Sequence, residues 1–182
     1  MIPIMSENFI AQLIARTDKR RTLDQGSYLF HQGDPIKSVF IVENGLVELT
    51  RHQRDGASII LQRATGRMVL AEASVYSEAY HCDAVVEAPS SVFELPRAVF
   101  LRHLREDDAF SSLWAAHLAA QVQTARTRSE ILVRKTVAER LDGWLAWQGQ
   151  EVPPKGRWKS VAAQIGVSPE ALYRELAKRR SG

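Results

Sequence analysis

Val161-Ala162-Ala163-Gln164-Ile165-Gly166-Val167-Ser168-Pro169-Glu170-Ala171-Leu172 is the stretch that decides the fold. It has the build of two short helices, near Lys159 to Ile165 and Pro169 to Lys178, joined by Gly166-Val167-Ser168. Ala162 or Ala163 supplies the small residue at which a second helix can cross closely. Gly166 suits a turn that needs positive φ. Val161, Ile165, Val167, Leu172 and Leu176 are apolar anchors. Ser168 is a good N-cap, Pro169 a good first helical residue, and Glu170 complements the positive helix end. A helix-turn-helix of this kind presents the start of its second helix to the DNA major groove.

Charge supports that reading once it is divided. The 182 residues hold 24 Lys and Arg against 21 Asp and Glu, a formal +3. From Gly149 to Gly182 seven cations face three anions, a net +4 that leaves −1 for the rest. A basic terminal segment on a near-neutral body suggests a polyanion, or else a solvated basic tail. Glu170 and Arg174 lie four residues apart on one helix face, as an exposed ion pair or as base readers. Within this motif base reading is the expectation, with Tyr173 beside them. Arg157, Lys159, Ser160, Ser168, Lys178, Arg179 and Arg180 are expected at the DNA backbone.

Upstream, Val137 to Trp147 predicts an amphipathic helix, with Val137, Leu141, Trp144 and Leu145 inward and Gly149 ending it. Asp107 to Arg134 predicts a long helix. Its stripe includes Leu113, Trp114, His117, Leu118, Gln121, Val122, Ala125 and Leu132. Periodicity alone allows either core or a seam with a second copy, and a strict heptad is not present. Pro96 opens a shorter helix over Arg97 to Leu104.

Thr22 to Val99 predicts strands and turns. Tyr28 to Phe30, Ser38 to Val42, Leu46 to Thr50, Ala57 to Arg63, Ala84 to Val86 and Val92 to Leu95 are the expected strands. Glu43-Asn44-Gly45 and Asp55-Gly56 are the expected turns. Many short strands with frequent turn signals indicate a barrel or sandwich. A further helix is expected from Glu7 to Ala15, with Phe9, Leu13 and Ile14 on one side.

Composition narrows the class. Hydrophobic residues make up 45% and charged ones 25%, ordinary for a globular chain. No apolar run reaches the roughly 20 residues needed to span a bilayer, and the start lacks a signal-peptide pattern. The single Cys82 cannot form an intrachain disulfide, which fits a cytoplasmic protein. The histidines show no metal spacing. No Walker loop, Gly-x-Ser-x-Gly or His-Glu-x-x-His occurs, so an enzyme is not expected.

The order of strands, Pro-initiated helix, long helix and helix-turn-helix resembles the Crp/Fnr superfamily of bacterial transcription regulators. Leu29-Phe30-His31-Gln32-Gly33-Asp34 looks like its early strand and turn, and Phe40-Ile41-Val42-Glu43-Asn44-Gly45-Leu46-Val47 its next strand pair. Pro96 to Phe100 resembles the helix that leaves the barrel. Ser168, Glu170 and Arg174 fall on the family's Ser, Glu and Arg base-reading pattern.

The resemblance implies an α+β chain: a cyclic-nucleotide-binding-like β-roll (a double-stranded β-helix) over 1–105, a dimerisation helix over 106–135 and a helix-turn-helix domain over 136–182. It implies a homodimer on near-palindromic double-stranded DNA, with RNA polymerase a further candidate partner. No membrane partner is expected.

The chain departs from the family in three places. The phosphate cassette, Gly-Glu followed by Arg-Ser or Arg-Thr, aligns with Ala71-Glu72 and His81-Cys82. Glu72 fits the ribose-binding Glu, but a cyclic phosphate needs a fixed guanidinium that His81 does not supply, which disfavours cyclic AMP. His81 or Cys82 as haem ligand, or Cys82 as redox sensor, is the alternative to a buried filler with a hydrogen-bonded histidine. The chain ends at Gly182, where the family continues into a two-stranded wing, so fewer backbone contacts are expected. Pro169 stands where relatives carry a polar contact residue, which predicts a different target sequence. A sensor or interaction module with weakened DNA binding is the competing function.

Overall fold

The computed structural model describes residues 3–52, 58–149, 151–152 and 154–181. The chain divides into two compact units, Met1–Leu118 and Ala119–Gly182.

In the first unit, helix α1 (Pro3–Ile14) precedes six antiparallel strands: β1 (Arg20–Leu23), β2 (Tyr28–Phe30), β3 (Ser38–His52), β4 (Ser58–Ala64), β5 (Met68–Leu70) and β6 (Asp83–Pro96). The order is β1-β6-β3-β4, with β2 also pairing with β6 and β5 with β3. Helix α2 (Arg97–Glu106) leaves the sheet directly after Pro96.

Two long strands replace four expected short ones. Glu43-Asn44-Gly45 is not a turn between strands; β3 runs through it while its register against β6 shifts. Gly45 has φ +86, and a Cβ there would lie 2.2 Å from Ser90 Oγ and 2.4 Å from the Pro89 carbonyl oxygen. The turn-forming residues thus bend a strand against a close backbone neighbour. Ala84 to Val86 and Val92 to Leu95 likewise lie in one strand, β6. β3 and β4 pair antiparallel as expected; Asp55-Gly56 between them lies outside the described residues. β1 and β5 arise from stretches with no distinct strand signal.

Strand alternation builds two cores. Phe40 and Val42 of β3 face a cluster with Leu29, Phe30, Val47, Leu49, Cys82 and Val86 inside the roll. Val39 and Ile41 face the other way, toward Phe9, Leu13, Phe100, Phe110 and Trp114. The latter cluster joins α1, α2 and the start of α3 (Asp108–Leu132) to the outside of the sheet.

In the second unit, α4 (Val137–Gln148), α5 (Trp158–Gln164) and α6 (Pro169–Ser181) enclose a third cluster: Ile131, Leu141, Trp144, Trp158, Val161, Ala162, Ile165, Leu172 and Leu176. Thr136 and Glu139 form a capping box at the start of α4. Gly149, at φ +95, closes its end as expected. Among the described residues no helix is long and apolar enough to cross a membrane.

Candidate nucleic-acid interface and effector site

The helix-turn-helix forms where expected. Gly166 has φ +65, and a Cβ there would come 2.8 Å from Leu132 Cδ2. Glycine therefore meets both the backbone and the steric demand of the turn. Arg140, which the sequence did not single out, donates through Nη1 to the carbonyls of Ile165 (3.2 Å) and Gly166 (2.9 Å). Its Nε donates to the Arg134 carbonyl at 2.9 Å. Nothing in local sequence marks a contact twenty-five residues away. Ser168 caps α6 by accepting from Ala171 N at 3.2 Å.

Glu170 and Arg174 are exposed on α6, and among the described residues neither forms an ion pair or a hydrogen bond to the other. The i,i+4 pair that does form is Glu175–Arg179, at 2.7 Å. Arg179 also donates to Asp142 Oδ1 (2.6 Å) and the Ala138 carbonyl (3.1 Å) on α4. The guanidinium expected at the DNA backbone thus also ties α6 to α4.

Tyr173 is half-buried, with its ring 5.4 Å from Trp158. Arg180 lies over the same Trp158 ring, also at 5.4 Å, a cation–π arrangement. Ser160 accepts from Gln164 Nε2 (3.1 Å), whose Oε1 accepts from Trp144 Nε1 (3.0 Å). Its hydroxyl proton stays available to an acceptor. Arg157, Lys159 and Lys178 are exposed.

The stripe on α3 divides. Trp114 and His117 are buried against Phe9 of α1, at ring distances of 5.6 and 5.2 Å, so these two are core rather than seam. Both ring nitrogens of His117 are buried without a hydrogen-bond partner among the described residues, and burial holds its pKa below the usual histidine value. Leu113, Leu118 and Gln121 are half-buried; Val122, Ala125 and Leu132 are exposed.

In the roll, Ala71 adopts the left-handed conformation, φ 58 and ψ 34, at the head of the 3-10 turn Glu72–Ser74. This is a conformation glycine would take without cost. The Glu72 carboxylate accepts from Gln62 Nε2 (3.2 Å), and Gln62 Oε1 accepts from Ala71 N (3.3 Å). Burial raises the Glu72 pKa. His81 Nδ1 is 3.0 Å from Ser74 Oγ, and Arg51 Nε donates to the His81 carbonyl at 3.2 Å. Burial, with Arg51 nearby, lowers the His81 pKa. Cys82 is fully buried in the roll core, and burial raises its thiol pKa. That environment opposes a reactive thiolate or an iron ligand at Cys82. Among the described residues no group of three or more His, Cys, Asp or Glu side chains is placed to hold a metal ion.

Residues 20–107 match the cyclic nucleotide-binding domain family. Comparison with the curated proteins gave no match. Among solved structures the chain is similar to FixK2 from Bradyrhizobium japonicum, with 19% identity and a TM-score of 0.72 over 90% of this chain and 84% of that one. It is similar to the c-di-GMP-responsive global regulator CLP from Xanthomonas campestris, with 18% identity and a TM-score of 0.65 over 96% and 91%. It is also similar to the sensor domain of the transcriptional regulator DNR from Pseudomonas aeruginosa, with 28% identity and a TM-score of 0.52 over 71% and 84%. Residues 20–107 thus resemble the cyclic nucleotide-binding domain family, and the chain shares the fold of these solved transcription regulators.

Proposed function

We propose that the protein is a homodimeric, sequence-specific DNA-binding transcription regulator of the cytoplasm. One observation carries this reading: Glu170 and Arg174 stand exposed near the start of α6, without an ion pair among the described residues, while Glu175 and Arg179 pair nearby. Arg174 then meets a guanine edge through two hydrogen bonds, and Glu170 accepts from a cytosine amine. Lys159, Arg157, Lys178 and the Ser160 and Ser168 hydroxyls serve the backbone, supplying affinity without sequence information. Tyr173 and Arg180, held against Trp158, border that face.

The second copy pairs along α3. With Trp114 and His117 inside the core, Ala115, Leu118, Val122, Ala125, Ser129 and Leu132 remain at alternating spacings of three and four. That stripe, short of a strict heptad over the whole helix, offers small residues that permit close approach. The roll is the regulatory half. His81 and Cys82 supply no guanidinium of their own to a cyclic phosphate, which disfavours cyclic AMP as its effector.

Selection of bound duplexes from a random pool tests the reading. A near-palindromic pair of half-sites, about one helical turn apart, is expected. A pool with no enriched half-site would contradict it.

A further inference from the structure

A concavity of about 460 Å³ lies on the first unit, between the residues leading into β3 and the outer face of α2. Apolar Ile36, Ala98 and Leu101 line it together with the cations Lys37, Arg97 and Arg105. Among the described residues no carboxylate lines it. Arg97, Leu101 and Arg105 recur every four residues and so share one face of α2, while Phe100 is buried on another. The Arg97 backbone N donates to the Lys37 carbonyl at 2.8 Å, which joins the two walls.

Arg97 is half-buried, and its Nε donates to the Val75 carbonyl at 2.7 Å. The guanidinium is thereby fixed, while both Nη groups have no protein partner among the described residues. Lys37 and Arg105 are exposed and form no ion pair among the described residues. A pre-positioned guanidinium favours a bidentate oxyanion, since little side-chain freedom is left to lose on binding. A wholly polar anion would leave the apolar residues in water. A wholly apolar ligand would strip water from three cations without replacing it.

We propose that this groove binds a small oxyanion carried on an apolar body, a carboxylate or phosphate on a short acyl or aryl group. The head sits on Arg97 with Lys37 and Arg105, and the body covers Ile36 and Leu101. The groove is lined by residues of α2 and the approach to β3, separate from Glu72 and His81, so this assignment does not depend on the effector site or on DNA reading.

Titration of the full chain with octanoate, followed by amide NMR shifts, tests it. Saturable shifts confined to residues 36–37, 75 and 97–105 are expected. Octyl phosphate should give the same pattern, and 1-octanol should bind at least tenfold more weakly. Arg105→Glu and Lys37→Glu, each checked for native circular dichroism, should each weaken octanoate at least tenfold. If one variant fails to fold, the other decides. Absence of saturable shifts, equal binding of octanol, or octanoate affinity unchanged in the folded variants would overturn the proposal. So would a glutamate-rich peptide that occupies the groove when octanoate does not.

Discussion

Arg179 Nη1 donates to Asp142 Oδ1 at 2.6 Å, joining the last turns of α6 to α4. The same guanidinium reaches Glu175 and the Ala138 carbonyl. A side chain with three partners is a tie within the helical unit. Arg179→Ala should therefore lower the stability of that unit by about 1 kcal/mol, the upper range for a partly exposed pair. Adding Asp142→Ala should cost little more, because the two changes remove one interaction. Thermal unfolding of the single and double variants measures the coupling; strict additivity would contradict the tie.

This contact also marks how far the sequence could be read. The helices of the second unit follow from Ser168, Pro169, Gly149 and the apolar spacing, and they form where those signals put them. Which cations stay free is a different matter. Arg174 and Arg179 look alike in a helical pattern, and only the packing of α6 on α4 separates them. The long strands were hidden for a related reason. Residues suited to turns, Glu43-Asn44-Gly45, bend β3 without ending it, because β6 passes close to Gly45. The α3 stripe concealed two roles, since Trp114 and Val122 differ in what covers them and not in their spacing.

Gly166→Ala should destabilise the helical unit by about 1–2 kcal/mol, the cost of a left-handed residue with a side chain. The added Cβ also meets Leu132 Cδ2 at 2.8 Å. The loss should appear as a lower Tm with DNA absent. An unchanged Tm would show that the turn relaxes freely.

Ala71 presents the converse case, with its side chain already in the left-handed region at φ 58. Ala71→Gly should stabilise the roll by up to about 1 kcal/mol, after the greater unfolded-state freedom of glycine is counted. Denaturant midpoints of parent and variant read the difference, and a fall in midpoint would contradict it.

His117 makes stability depend on pH. Its folded pKa is lowered by burial, so the unfolded chain binds the proton more readily. Stability from the neutral ring is present above the unfolded value of 6.5 and is lost as pH falls below it toward the folded value. His117→Phe should remove that part of the acid loss. It should also raise stability at neutral pH, since two unpaired buried nitrogens disappear. Unfolding curves at pH 5 and pH 8 compare the two proteins; an identical pH dependence would contradict the assignment.

Specific binding depends on base reading by Arg174. Affinity of parent and Arg174→Ala should be measured at one fixed salt concentration, on the selected duplex and on a scrambled one. On the selected duplex the variant should lose about 1–3 kcal/mol, the worth of a bidentate guanine contact. On the scrambled duplex it should lose much less, so the ratio of the two affinities collapses. A variant that binds the selected duplex as tightly as the parent would contradict the account.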